Sequence, residues 1–151
     1  MKCSTLLCVD DDSSTRKMYQ TLLGSYGYDV AVAEDANQAL DRLRAPNSAV
    51  DAVIVDYDMP GMKGSQLAGE LKRTDPELPV IMVSGSRPPE EELGRSVDAV
   101  FEKGSSVQTI VDRLESLLAA KKTSHLAKYI SLASALAAVA LAALLAPKSW
   151  K

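Results

Sequence analysis

Histidine is almost missing from this chain of 151 residues, with His125 its one example, and cysteine occurs twice, at Cys3 and Cys8. That scarcity leaves neither cysteine a partner set for a metal site or a nucleophilic pair. On one extended strand the two thiols would stand about 16 Å apart, at roughly 3.3 Å per residue, which is beyond disulfide reach. Nothing here points to an oxidising compartment, and Cys8 reads as a small core residue. Acids are missing from the end of the chain. All 20 Asp and Glu lie in residues 1–120 against 12 Lys and Arg, a balance of -8, whereas residues 121–151 hold five lysines and no acid, giving +5. An acidic body excludes the phosphate backbone of nucleic acid as its partner, and the split in charge gives the tail a different partner from the body. No internal repeat or low-complexity linker precedes residue 121. The opening MKCSTLLCVDDD is too briefly apolar and too soon acidic for a secretory signal.

What is present suits a folded domain with an appendage: 46% of residues are apolar and 25% charged. Residues 5–9 predict a short buried strand. Ser13 or Ser14 can cap a helix to about Ser25, with Met18, Leu22 and Leu23 as its apolar stripe and Gly24 and Gly27 at its end. A weak strand over Asp29–Ala33 precedes a helix over Ala36–Arg44, with Pro46 and Asn47 marking the break. DAVIVD (51–56) is a strand, PGMKG a turn, and a helix runs from Ser65 to about Arg73. PVIMVS (79–84) is a strand, 89–96 a short helix, AVFEK a strand, and 106–120 an amphipathic helix with Val107, Ile110, Val111, Leu114, Leu117 and Leu118 apolar. Five strand–helix alternations, with continuously apolar central strands, predict an α/β fold: a parallel sheet covered by helices on both faces.

Such sheets bind ligands beyond the carboxyl ends of their strands. Those ends carry Asp10 and Asp11, Asp56, Ser84 and Lys103. Two carboxylates about 4 Å apart repel by roughly 4 kcal/mol at an effective dielectric near 20, so an acidic cluster needs a counter-charge. Carboxylates without imidazole or thiolate select a hard cation such as Mg²⁺. Lys103 suits a phosphoryl oxygen, Ser84 can donate to another, and a carboxylate there can be the nucleophile that forms an aspartyl phosphate. Taken singly, each residue also has an ordinary role as cap, solvated lysine or surface hydroxyl. Their joint position at the strand ends is what carries the reading.

Over roughly residues 3–120 the chain resembles the receiver domain of two-component response regulators. VDDDSSTR is similar to the family's first-strand acidic motif, VDYDMPGMKG to its phosphoacceptor loop, VSG to its hydroxyl-bearing fourth-strand end, and FEKG to its fifth-strand lysine. The resemblance implies a flavodoxin-like, doubly wound five-stranded sheet of order 2-1-3-4-5; receivers are themselves a standard example of that order. It implies Asp56 as phosphoacceptor. Mg²⁺ would be bound by Asp11 and Asp56 directly, by Asp10 through water and by the backbone carbonyl of Asp58. Ser84 and Lys103 would contact the phosphoryl group. Asp12 is not a metal ligand in the family and reads as an acid at the helix start. Three departures stand out. Gly104 replaces the usual proline, Val100 holds the place of an aromatic that swings with the switch, and the stretch between Ser84 and Lys103 is short for a fourth helix. They bear on the output face built from the fourth helix and fifth strand.

After a basic linker, 121–128, residues 129–146 run 18 positions without a charge and 147–151 form a short end. At 1.5 Å per residue this spans about 27 Å, or about 31 Å from Leu126, against a hydrocarbon core near 30 Å. Tyr129 and Trp150 flank it as interfacial aromatics, with Lys128 and Lys148 able to snorkel. The expectation is a tail-anchored membrane helix over 126–146 holding a cytoplasmic receiver. Eight alanines in the span leave a soluble docking helix as the other reading. Nothing after residue 120 reads as a helix-turn-helix or a catalytic domain. The function expected is therefore a phosphorylation-switched module with no enzymatic output. Its partners would be a sensor histidine kinase or phosphotransfer protein and a downstream protein the sequence does not name. A phosphorylation-independent adaptor is the alternative. A Mg²⁺-dependent phosphatase of the haloacid-dehalogenase type, suggested by the D-x-D of VDYD, lacks a cap domain and has its motif after the wrong strand.

Overall fold

Side chains at Leu6–Val9, Ala52–Val55 and Val80–Val83 offer no polar face, so each run can only be a strand covered on both sides. The computed structural model describes residues 4–46 and 48–145. In chain order it contains β1 (Thr5–Val9), α1 (Ser13–Ser25), β2 (Asp29–Ala33), α2 (Ala36–Arg44), β3 (Val50–Asp56), α3 (Gly64–Thr74), β4 (Val80–Ser84), α4 (Glu90–Leu93), β5 (Ala99–Glu102) and α5 (Val107–Leu145). The strands form one parallel sheet in the order β2-β1-β3-β4-β5, as the resemblance implied. The expectations on Cys3, Asn47, Lys148, Trp150 and residues 147–151 fall outside the described residues.

Strand alternation sends side chains to two cores. Leu7, Val9, Val53, Val55, Val80 and Met82 pack under Ala36 and Ala39 of α2 and Leu67, Ala68 and Leu71 of α3. Leu6, Cys8, Ala52, Ile54, Ile81 and Val83 pack under Tyr19 and Leu23 of α1 and Ile110, Val111, Leu114 and Leu118 of α5. Each large apolar side chain so buried contributes about 1.5–3 kcal/mol.

Several local expectations are corrected. The α1 cap is Asp12, whose carboxylate accepts the Ser14 N–H at 2.8 Å, rather than Ser13 or Ser14. The face of the helix turned to the core carries Tyr19 and Leu23, while Met18 is 44% exposed. The short helix expected over 89–96 narrows to the four residues of α4, none of them buried. The bonds Glu92 N–H to Pro89 and Gly94 N–H to Glu90 close a single turn. Asp98 instead organises the far end of this connection: one carboxylate oxygen accepts both the Val80 N–H and the Lys72 ammonium at 2.7 Å.

The chain divides into two units, Met1–Leu118 and Ala119–Lys151. Helical backbone continues through 121–128, where the lysines suggested a linker, because nothing there breaks a helix: neither proline nor glycine occurs between Ser106 and Ala146. In the second unit Leu126, Tyr129, Ile130, Leu132, Leu136, Val139 and Leu141 are all exposed. Among the described residues α5 is the one helix long and apolar enough to cross a membrane.

Candidate functional site

Register places the site. Val9 of β1 pairs with Val55 of β3, so Asp10 emerges beside Asp56. Asp56 pairs with Val83, so Ser84 lies one position beyond it, and Ser84 pairs with Glu102, so Lys103 follows at the same edge. Carboxylate oxygens of Asp10, Asp11 and Asp56 lie within 4.8 Å of one another. Asp10, Asp56 and Ser84 are buried, whereas Asp11 and the Asp58 side chain are exposed. The Lys103 ammonium reaches in to Asp56 Oδ2 at 3.0 Å and Asp10 Oδ2 at 3.3 Å. Ser84 Oγ accepts the Ser86 N–H at 3.3 Å, which leaves its own proton to donate elsewhere.

Electrostatics follow from this packing. Burial, and after it the charge of Asp10, pushes the Asp56 carboxyl above its ordinary range even with Lys103 bonded to it. Burial pulls the Lys103 ammonium down, but the hydrogen bond it donates to Asp56 and the charges of Asp10 and Asp56 outweigh it and raise the group overall. Burial followed by the Asp10 charge pushes the Cys8 thiol up to about 12, so this thiol is inert.

Asp56 Oδ1 is the one buried side-chain polar atom without a hydrogen-bond partner among the described residues. An orphaned carboxylate oxygen facing two more carboxylates, with no imidazole or thiolate nearby, fits a hard divalent cation. The donor set therefore suits Mg²⁺. Asp58 would have to join it through its backbone carbonyl, since its side chain is not part of the cluster.

At the acidic loop and the phosphoacceptor strand, Arg16 and Gly64 play parts that sequence reasoning did not give them. The Arg16 guanidinium donates to the carbonyls of Asp10 at 2.7 Å and Asp11 at 2.9 Å, clamping the loop that presents both acids. Its position in VDDDSSTR, one turn into a helix whose start faces an acidic loop, was the available signal. Gly64, the last residue of PGMKG, starts α3 against the backbone of β3: a Cβ there would meet the Asp56 carbonyl oxygen at 2.1 Å. Its N–H donates to the Tyr57 carbonyl at 3.0 Å. Only glycine permits this approach. Gly104, next to Lys103, adopts a φ of +96°, which the ring of proline cannot.

Comparison with known proteins agrees with this geometry. Residues 6–115 match the family model described as the response regulator receiver domain. The chain is 29% identical over 116 residues to the response regulator MprA of Mycobacterium sp. (strain KMS), covering 75% of this chain and 50% of that protein. It is 42% identical over 84 residues to the two-component response regulator ARR10 of Arabidopsis thaliana, covering 56% of this chain and 15% of that protein. The chain thus spans about half the length of the curated relatives it matches, or less. Among solved structures, a CheY-like receiver domain protein from Methanospirillum hungatei JF-1 superposes with a TM-score of 0.75 at 23% identity, covering 82% of this chain and 99% of that one. The response regulator TrrA of Thermotoga maritima, solved in complex with Mg²⁺ and BeF, superposes with a TM-score of 0.69 at 25% identity, covering 76% and 98%.

Proposed function

Because the chain belongs to the response regulator receiver domain family, we propose that it is a phosphoacceptor module of a two-component phosphorelay, switched by phosphorylation of Asp56. The observation that carries this reading is the Asp56 carboxylate itself: buried, bonded to Lys103 through one oxygen and unpartnered at the other, with Asp10 and Asp11 alongside. A partner phosphohistidine, on a sensor kinase or phosphotransfer protein, is the natural donor. A carboxylate oxygen of Asp56 attacks phosphorus, the P–N bond breaks, its electron pair stays on the imidazole nitrogen, and that nitrogen takes up a proton from water. Lys103 then pairs with the added phosphoryl charge, and Ser84 donates its hydroxyl proton to a phosphoryl oxygen. Asp10, Asp11, Asp56 and the Asp58 carbonyl would hold Mg²⁺, which when bound supplies positive charge opposite the transferring oxygens.

Residues 1–120 form the receiver in this reading, 121–128 a basic connector, and 129–146 a span that tethers it to a membrane. Two features support the tether. The apolar side chains from Leu126 to Leu141 are exposed, and Ser134 hides its hydroxyl by donating to the Ile130 carbonyl at 2.9 Å, so its polar group is satisfied within the helix. A module of this kind acts by docking a downstream protein from the cytoplasmic side rather than by catalysis.

Incubating the chain with acetyl phosphate and Mg²⁺ tests the central point. One phosphoryl group should appear per chain, acid-stable and alkali-labile, and none on Asp56→Asn. Labelling that survives Asp56→Asn, or steady turnover of a phosphate ester, would overturn the reading.

A further inference from the structure

Tyr57 follows Asp56 directly but turns to the other sheet face, where its ring is buried with Val53 and Val55. Its hydroxyl donates to Glu92 Oε2 in α4 at 2.7 Å. The Lys63 ammonium, at the foot of α3, lies 3.4 Å from the same oxygen and 5.5 Å from the centroid of the Tyr57 ring. That hydrogen bond, before any other influence, holds the Glu92 carboxyl below its ordinary range, so the acceptor stays ionised at neutral pH.

The arrangement is uneven in an informative way. The residues on the phosphoacceptor side, Tyr57 and Lys63, bracket the loop that carries Asp58, and this loop leads directly out of Asp56. On the other side α4 is a single turn with no buried residue, held by Glu92 and by partial burial of Leu93. A one-turn helix so lightly packed can occupy a docked and an undocked arrangement at little cost, whereas the sheet beneath cannot shift.

We infer that Tyr57, Lys63 and Glu92 form a latch through which the state of the Asp56 site sets the docking of α4. The inference rests on the reading of Asp56 as phosphoacceptor. Cation and phosphoryl group engage the loop between Asp56 and Lys63, Tyr57 and Lys63 shift with it, and Glu92 follows or is released. Tyr57 and Glu92 are positioning residues: neither touches the reacting atoms. Coupling of this type is reciprocal, since whatever biases α4 must bias the site by the same factor.

Hydrogen exchange on the full chain in detergent micelles reads the latch, with and without saturating Mg²⁺ and beryllofluoride as the phosphoryl mimic. In the wild type, amide protection over residues 90–96 should change when the mimic binds. Tyr57→Phe, which keeps the ring and removes only the donor, should speed exchange there about tenfold without the mimic and abolish most of the response to it. Glu92→Leu, which removes the acceptor, should reproduce the loss of response from the opposite side. An unaltered response in both variants overturns the latch. So does faster exchange in Tyr57→Phe with the response intact, because the contact would then be merely structural. Failure of the wild type to bind beryllofluoride, seen as no protection change around Asp56, would instead remove the phosphoacceptor reading, and the latch with it.

Discussion

Gly64 shows how narrow the tolerances are at the level of single residues. Its missing Cβ is what allows α3 to start against the Asp56 carbonyl. Gly64→Ala must push the phosphoacceptor loop or the helix aside, at a cost of about 1–3 kcal/mol for overpacking. Thermal melting should show that loss, and phosphorylation by acetyl phosphate should fall with it. The acidic cluster makes the opposite prediction. Asp56 titrates above its ordinary value in the folded protein, so its contribution favours folding when protonated. That contribution is complete below the ordinary carboxylate range and lost as pH rises through the raised value. At neutral pH the ionised group therefore weighs against the cation-free fold. In chelator, Asp56→Asn should melt above the wild type. Added Mg²⁺ should stabilise the wild type more and narrow the gap. A melting temperature below the wild type in chelator would show that the Lys103 pairing outweighs the repulsion.

Among the elements, the strands and α2, α3 and the packed part of α5 were readable because buried runs and helical stripes leave little choice of partner. α1 was readable in extent but not in phase. Asp12, Ser13 and Ser14 can all cap a helix, and only packing on the sheet decides that Tyr19 rather than Met18 is buried. α4 was legible only as a short helix, since EEEL has propensity but only Leu93 to set against the core. What holds the β4–β5 connection is instead Asp98, a residue that sequence reasoning passed over. Asp98→Ala strips the first N–H of β4 of its acceptor and Lys72 of its counter-ion. A loss of about 1–3 kcal/mol should follow in urea denaturation, with faster amide exchange at Val80. Stability within 0.5 kcal/mol of wild type, about the scatter for an ordinary surface change, would rule that role out.

For the whole molecule, the decisive contrast is between a body whose apolar side chains are packed under helices and a tail whose large apolar side chains from Leu126 to Leu141 are exposed. Among the described residues every buried core residue lies at or before Leu118, so a chain ending at Lys122 should fold and accept a phosphoryl group as the full chain does. Only the full chain should sediment with membranes through both high-salt and alkaline washes. Release by the salt wash would make the tail a docking helix with a protein partner.

The sequence alone determined the alternation of strands and helices, the two-faced sheet and the strand-end positions of Asp10, Asp11, Asp56, Ser84 and Lys103, because apolar runs and their polar ends are local properties of the chain. It also determined the charge-free run of the tail. Only the tertiary structure decided that Lys103 bridges Asp10 and Asp56, that Asp56 keeps one oxygen unpartnered, that Arg16 clamps the acidic loop, that Gly64 lies against the Asp56 carbonyl and that Tyr57 reaches Glu92. Most of these ties join residues far apart in sequence, and all of them depend on register and packing. Distances of about 3 Å between such side chains exist only once the sheet has set the strands side by side.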